Sequence, residues 1–256
     1  MKVIRLIKDH VCRTILAMRG FQLTGADWLL PWFLYAASPA VSRIARTHIA
    51  DFPDFSARLG SNDLYTFANL FEDYPIRKLR EALSQVNQVV DAGANVGAFS
   101  WLVLRMAAQI GQRVTVTAIE PSQENVRHLK AQPFAGRLDI LHGAVGPEDG
   151  WGQMIQGKNS VTHRVKFAKE RSRDSVEIFS LEALCNKSTL LKMDIEGGEF
   201  SILQRGLPTN VRYLFLEWHH GPETGRPADP RPLIEEGTWE KLSNDLYGSS
   251  TWFWRL

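Results

Sequence analysis

The sequence predicts an α/β fold: a mostly parallel central sheet flanked by helices, with an N-terminal helical extension and a small antiparallel insertion. Three observations predict it. From Asp63 onward, short apolar runs alternate with amphipathic stretches, the pattern of a parallel sheet covered on both faces. Acids and glycines recur where the apolar runs end, at Asp91-Ala92-Gly93, Glu120-Pro121 and Asp194-Ile195-Glu196-Gly197-Gly198. Between Gly150 and Ser180 the chain instead alternates apolar and polar residues, as short antiparallel strands require.

The first 19 residues place Val3, Ile4, Ile7, Val11, Ile15 and Met18 at helical spacing, with Arg5, Lys8 and Arg13 between them and Gly20 at the end. This amphipathic helix either caps the core or makes peripheral contact with a membrane surface or partner. Residues 21–60 mix aromatics with Pro31, Pro39 and Pro53 and read as short helices and loops near the site entrance. Residues 1–60 therefore form an N-terminal extension, and 61–256 the domain that carries the chemistry.

In that domain the apolar runs predict strands over 88–91, 114–119, 138–142, 190–195 and 213–218. Helical spacing predicts helices over 98–109, 123–132, 181–185, 199–204 and 233–246, and the insertion supplies strands over 152–156, 163–167 and 175–179. Only 251–256 is left as strand-like sequence at the end.

Composition narrows the class. A chain of 256 residues, 44% hydrophobic, supports one sizeable core. A net charge of +2 is too weak to draw in a polyanion. Cys12 and Cys185 are too few for a disulfide framework or a thiolate zinc site and fit a reducing compartment, so the expected location is cytoplasmic. The apolar run from Trp28 to Ala37 contains Pro31 and is about half the roughly 20 residues a helix needs to cross a bilayer, so no transmembrane segment is expected. Charged residues among the first 13 also interrupt any signal-peptide pattern.

The chemistry begins at Val89-Val90-Asp91-Ala92-Gly93-Ala94-Asn95-Val96-Gly97. A strand ends at Asp91, and Gly93 and Gly97 frame a turn where absent side chains let a ligand approach the backbone. The Gly-x-x-x-Gly spacing is neither the dinucleotide pattern nor a phosphate loop, and Asp91 would repel phosphate while accepting hydrogen bonds from an ammonium group. Glu120, 29 residues on, ends the next strand, where a carboxylate can accept both hydroxyls of an unphosphorylated ribose. Pro121 and Ser122 turn the chain into a helix. His142-Gly143-Ala144-Val145-Gly146 lies beside the same crevice, close enough to wrap an adenine, with His142 structural rather than catalytic.

Lys192-Met193-Asp194-Ile195-Glu196-Gly197-Gly198-Glu199 crowds carboxylates at a strand-to-helix corner, and such crowding points to a cation, a polar ligand or a perturbed pKa. Glu199 alone could be a helix-start carboxylate favoured by the helix dipole. The last parallel run ends in Glu217-Trp218-His219-His220, where Glu217 and His219 share strand parity and can face one ligand. His219 is open to three readings: a base for a hydroxyl, a structural histidine, or a divalent-metal ligand with Asp194 and Glu217.

Taken in order and spacing, these motifs resemble those of the FkbM-type methyltransferases, with Asp63, Phe67, Phe71 and Tyr74 similar to the usual lead-in. The resemblance covers roughly residues 63–220. It implies a Rossmann-like class I methyltransferase fold, S-adenosylmethionine as donor, and O-methylation of a hydroxyl on a sugar, glycan, glycolipid or polyketide. By matched position, Asp91, Gly93, Ala94, Asn95 and Gly97 would surround the methionine part, Glu120 and Pro121 the ribose, and Ala144 the adenine. Asp194, Glu196, Glu217 and His219 would line the acceptor side, with Asp194, Glu217 and His219 as the catalytic set and Asp194 also among the residues that bind the donor. A full fold of this class also supplies a helix and an antiparallel strand pair after the fifth strand, so either the closing hairpin is shortened here or the tail is read wrongly.

Two rival readings stand. A nicotinamide-dependent oxidoreductase would use Glu120 equally well, but the glycine spacing opposes it. A non-catalytic nucleoside-binding module would predict decayed motifs, and these are intact. Nucleic acid is not expected as a partner: the Asn/Asp-Pro-Pro-Tyr/Phe motif is missing. The one basic cluster, Arg164, Lys166, Lys169, Arg171 and Arg173, reads as a solvated hairpin face.

Overall fold

The computed structural model describes residues 49–52, 55–58, 63, 66, 67, 70, 73–155, 164–168, 170–220, 225–243 and 249–256. The expected helix over 1–19 lies outside the described residues, as does most of the 21–60 segment. The chain divides into two compact units, Met1–Leu79 and Arg80–Leu256.

In the first unit, strands β1 (Ile49–Phe52) and β2 (Phe55–Arg58) form an antiparallel hairpin. Helices and loops were expected here. Phe55-Ser56-Ala57-Arg58 alternates with period two, and Phe55 and Ala57 turn inward to full burial. Arg58 then clamps the buried Asp63 with its backbone N–H, Nε and Nη2, each at 2.9 Å, so the carboxylate leaves water fully paired. Helix α1 (Ile76–Leu83) spans the boundary between the units.

The second unit is built on a seven-stranded sheet. Its elements are β3 (Gln88–Ala92), α2 (Ala98–Gln109), β4 (Thr115–Glu120), α3 (Gln123–Lys130), β5 (Asp139–His142), β10 (Thr189–Met193), α5 (Glu199–Leu203), β11 (Val211–His219), β12 (Thr238–Lys241) and β13 (Ser249–Arg255). The strand order is β12-β13-β11-β10-β3-β4-β5. β13 pairs antiparallel with both neighbours, while the other pairs are parallel. Every residue of β3 and β10 is buried, which is why these strands read as unbroken apolar runs and not as alternation.

Between β5 and β10 the chain forms a second sheet from β6 (Ala144–Gly146), β7 (Gly150–Ile155), β8 (Arg164–Ala168) and β9 (Ser175–Ser180), followed by the one-turn helix α4 (Leu181–Leu184). The expected antiparallel trio is present, and β6 adds a fourth strand, parallel to β9. Lys166, Arg171 and Arg173 of the basic cluster are exposed, and Arg171 lies 4.3 Å above the Trp151 ring.

The tail overturns the expected helix over 233–246. Residues 231–233 form a single 3₁₀ turn and 238–241 a strand, so the closing hairpin is complete. Gly237 sits at φ +88°, and a Cβ there would collide with the Trp254 indole and lie 2.6 Å from the Arg255 carbonyl oxygen. The residue between turn and strand is thus fixed in a conformation no helix uses. Trp239, Trp252 and Trp254 pack edge-on or tilted at 6.2 and 6.4 Å and join the main core with Leu214, Leu216 and Trp218.

Candidate active site

The five parallel strands end at one edge, and strand order reverses direction between β3 and β10. In open α/β sheets a ligand crevice forms beyond the strands' carboxyl ends at such a reversal. Two clusters of the predicted residues meet there.

The first is the turn after β3. Gly93, Asn95 and Gly97 have φ of 78°, 51° and 90°, so three of five consecutive residues are left-handed. The N–H groups of Gly93 and Ala94 donate to the Ile119 carbonyl, tying the turn to β4. A Cβ on Gly93 would run into the Asp194 carbonyl, and one on Gly97 would lie 2.5 Å from Leu129 Cδ1. This corrects the sequence-based account of the two glycines: the space they leave is filled by the chain's own β10 end and α3, not kept open for a ligand.

Asp91 is fully buried. Ser100 Oγ donates to its Oδ2 at 2.7 Å, and Lys192 Nζ lies 3.4 Å from its Oδ1. Glu120 is nearly buried and accepts from the backbone N–H groups of Asn95 (2.8 Å, on Oε2) and Ser122 (2.9 Å, on Oε1) and from Asn125 Nδ2 (3.2 Å, on Oε1). Burial raises its pKa against those bonds. A carboxylate offers about four acceptor positions, so one on Oε2 stays open. Next to it, Asn95 Oδ1 is buried without a hydrogen-bond partner. Pro121 gives its carbonyl to the exposed His142 ring (Nε2, 3.1 Å). Ala144 is buried in β6.

The second cluster is the acidic corner at the ends of β10 and β11. Glu196 (φ 54°) and Gly197 (φ 107°) form its turn. Glu199, fully buried, accepts at Oε1 from the N–H of Ile195 (3.3 Å) and Gly197 (3.0 Å) and meets His219 Nδ1 at 2.9 Å. His219 Nε2 in turn faces Glu196 Oε2 (3.5 Å) and Glu217 Oε1 (3.8 Å), so Glu217 and His219 do share a face. Ligand atoms of Asp194, Glu217 and His219 lie within 4.8 Å of one another.

Crowding shifts these groups. The charge of Asp194, and then burial, pushes Glu217 up to about 7. Burial, followed by Asp194, Glu217 and Glu199, pushes Glu196 up to about 8. Burial alone would lower His219, but the hydrogen bond and charge of Glu199, with Asp194 and Glu196, raise it to about 10. That shift favours the imidazolium near neutral pH and so weighs, without a metal, against His219 as the base.

Three residues were not singled out in the sequence. Lys192 is buried in β10 and reaches both clusters, 3.4 Å from Asp194 Oδ2 as from Asp91. Burial works against its ammonium, but Asp194, Asp91 and Glu217 outweigh that and raise its pKa. A lysine in an otherwise apolar strand was the available signal, since such a charge needs a partner. Ser100 faces Asp91 from α2 with no sequence signal. Arg226 donates to the carbonyls of Gly197 and His219 (3.3 Å for the latter) and lies 3.6 Å from Glu199 Oε2, far outside any motif.

A sheet in this order, a turn without phosphate-loop spacing and a carboxylate at the end of the second parallel strand define the class I methyltransferase fold. A family model described as the methyltransferase FkbM domain matches residues 91–236, more than half of the chain, and the chain belongs to that family. Membership implies S-adenosylmethionine as donor and sets aside the nicotinamide-dependent alternative. The match also extends past the 63–220 span of the sequence resemblance into the tail. No curated protein matches the sequence.

Among solved structures, the chain is similar to the methyltransferase FkbM from Methylobacillus flagellatus (16% identity, TM-score 0.42, 90% of this chain). It is also similar to WbdD (16%, 0.40, 75% of this chain) and to the N-terminal domain of human METTL16 in complex with SAH (11%, 0.39, 88% of this chain and 93% of that one). The chain spans 61% of the length of the Methylobacillus protein and 40% of WbdD. Among the described residues no helix is long and apolar enough to cross a membrane.

Proposed function

We propose that this chain transfers a methyl group from S-adenosylmethionine to a hydroxyl of a neutral, polyhydroxylated acceptor such as a sugar, glycan, glycolipid or polyketide. The observation that carries this reading is the contact between the two clusters. The Gly93 turn packs against the Asp194 carbonyl, and Lys192 bridges Asp91 to Asp194, so donor and acceptor sides are neighbours.

The donor side fits its ligand. The open position on Glu120 Oε2 and the unpartnered Asn95 Oδ1 are both acceptors, suited to ribose hydroxyls or an amine and unsuited to phosphate. Glu120 and Asn95 would hold the donor, with Gly93, Ala94, Gly97 and Pro121 shaping the turn and Ala144 the adenine side. Asp91, buried behind the turn, acts on it through Lys192 and Ser100. When bound, S-adenosylmethionine supplies an electrophilic methyl on a sulfonium that becomes a neutral thioether.

On the acceptor side Glu217 Oε takes the hydroxyl proton. Its carboxylate is held near neutrality by Asp194, and Ser249 Oγ steadies Oε1 at 3.0 Å. His219, oriented by Glu199, keeps a positive charge beside the corner. The missing nucleic-acid methylation motif and the lack of a basic stripe in the sequence favour a neutral acceptor over nucleic acid. A second reading rests on a specific arrangement: Glu199 fixes His219 through Nδ1 so that Nε2 points toward Glu217, as in sites where a carboxylate orients a metal-bound histidine. A divalent metal at Asp194, Glu217 and His219 would then lower the hydroxyl's pKa.

The test is transfer from tritiated donor into glycan and lipid extracts, with and without a chelator. Label in a neutral hydroxylated acceptor supports the proposal, and loss of that label on chelation selects the metal version. Label confined to nucleic acid or protein overturns it.

A further inference from the structure

Lys192 belongs to neither cluster and touches both. It stands on β10, whose every residue is buried, and its Nζ donates to the carbonyls of Gly93 at 2.7 Å and Ala92 at 3.4 Å. The same ammonium lies 3.4 Å from Asp91 and 3.4 Å from Asp194. Asp91 is fully buried and its Oδ1 makes no hydrogen bond, so the nearby lysine ammonium is what offsets the charge on that oxygen. Asp194 is half-buried at the corner.

We infer that Lys192 is a positioning residue that couples the acidic corner to the donor turn, so that the charge at Asp194 sets how well the turn holds its ligand. The physical basis is that one ammonium is shared by two carboxylates and two carbonyls. With the charge on Asp194 gone, the ammonium is drawn wholly to Asp91 and the Gly93 carbonyl, and the left-handed turn at Gly93 shifts with it. In a closely packed, low-dielectric setting such a displacement is not absorbed by solvent. This rests on the donor reading above, because it predicts an effect on donor binding.

Calorimetric titration with S-adenosylhomocysteine tests it on a double-mutant cycle. The variants are Asp194→Asn in the wild-type background and Asp194→Asn in a background where the bridge is neutral, Asp91→Asn with Lys192→Met. In the wild-type background Asp194→Asn weakens binding about fivefold. In the neutral background the same change alters binding by less than about twofold. Equal effects in both backgrounds overturn the coupling. Should the neutral double variant lose cooperative melting, Asp91→Asn with Lys192→Gln, which keeps a neutral donor for the Gly93 carbonyl, serves as background with the same two outcomes. A failure of the wild type to bind S-adenosylhomocysteine overturns the donor reading instead, so the two failures are distinct. A purely structural lysine would lower the melting temperature without making the Asp194→Asn effect depend on background.

Discussion

At the ends of β3 and β4 each carboxylate has its own donors: Asp91 has Ser100 and Lys192, and Glu120 has two backbone N–H groups and Asn125. At the ends of β10 and β11 four carboxylates, those of Asp194, Glu196, Glu199 and Glu217, compete for Lys192, His219, Arg226 and a few N–H groups. The first region is preorganised, with its polarity settled before a ligand arrives. The second holds unsettled charge, and Glu217 at about 7 and Glu196 at about 8 report it. Binding suits the former and proton movement the latter.

The contrast breaks most sharply at Glu217. Glu217→Gln is expected to lower kcat by about 10²- to 10⁴-fold while leaving S-adenosylhomocysteine affinity within about twofold, measured by single-turnover assay and calorimetry. A parallel loss of affinity would erase the division of labour between the regions. Next comes Gly93→Ala, which forces a Cβ toward the Asp194 carbonyl at φ +78°. It should destabilise the fold by about 3 kcal/mol in urea unfolding. Retained stability would mean the turn and corner are not packed as described.

Glu120→Gln should weaken S-adenosylhomocysteine binding about tenfold, with kcat at saturating donor nearly unchanged, because the amide keeps the shape and loses charge-assisted acceptance. A fall in kcat alone would move Glu120 to the chemical side. The smallest effect concerns pH. Glu217 must be ionised to accept a proton and its pKa is raised to about 7, so kcat/KM should fall about fivefold from pH 7 to pH 6 and level off above about 8. A flat profile over that range would remove Glu217 as base.

The five parallel strands were legible to within two residues at every end, most plainly β3 and β10, where burial on both faces leaves an uninterrupted apolar run. The tail was not. Leu233, Ile234, Trp239, Leu242 and Leu246 recur at near-helical spacing, and only the left-handed Gly237, wedged against Trp254, shows that the chain must break there. β6 is three residues long and leaves no periodicity to read. The site was legible as far as residue type at a strand end goes: Asp91, Glu120, Asp194, Glu217 and His219 all reach the expected edge. Charge state was not legible, since the protonation of His219 depends on Glu199, which meets it only after folding. Arg226 escaped for the same reason.

β13 lies between β11 and β12, although it follows both in the chain. During synthesis β11 therefore waits with an open edge, and β12 has no partner until the final strand inserts between them. Sheet closure is postponed until β13 is made, and a chain cut between residues 220 and 248 would leave a nine-residue strand unpaired on one side and free to recruit another chain.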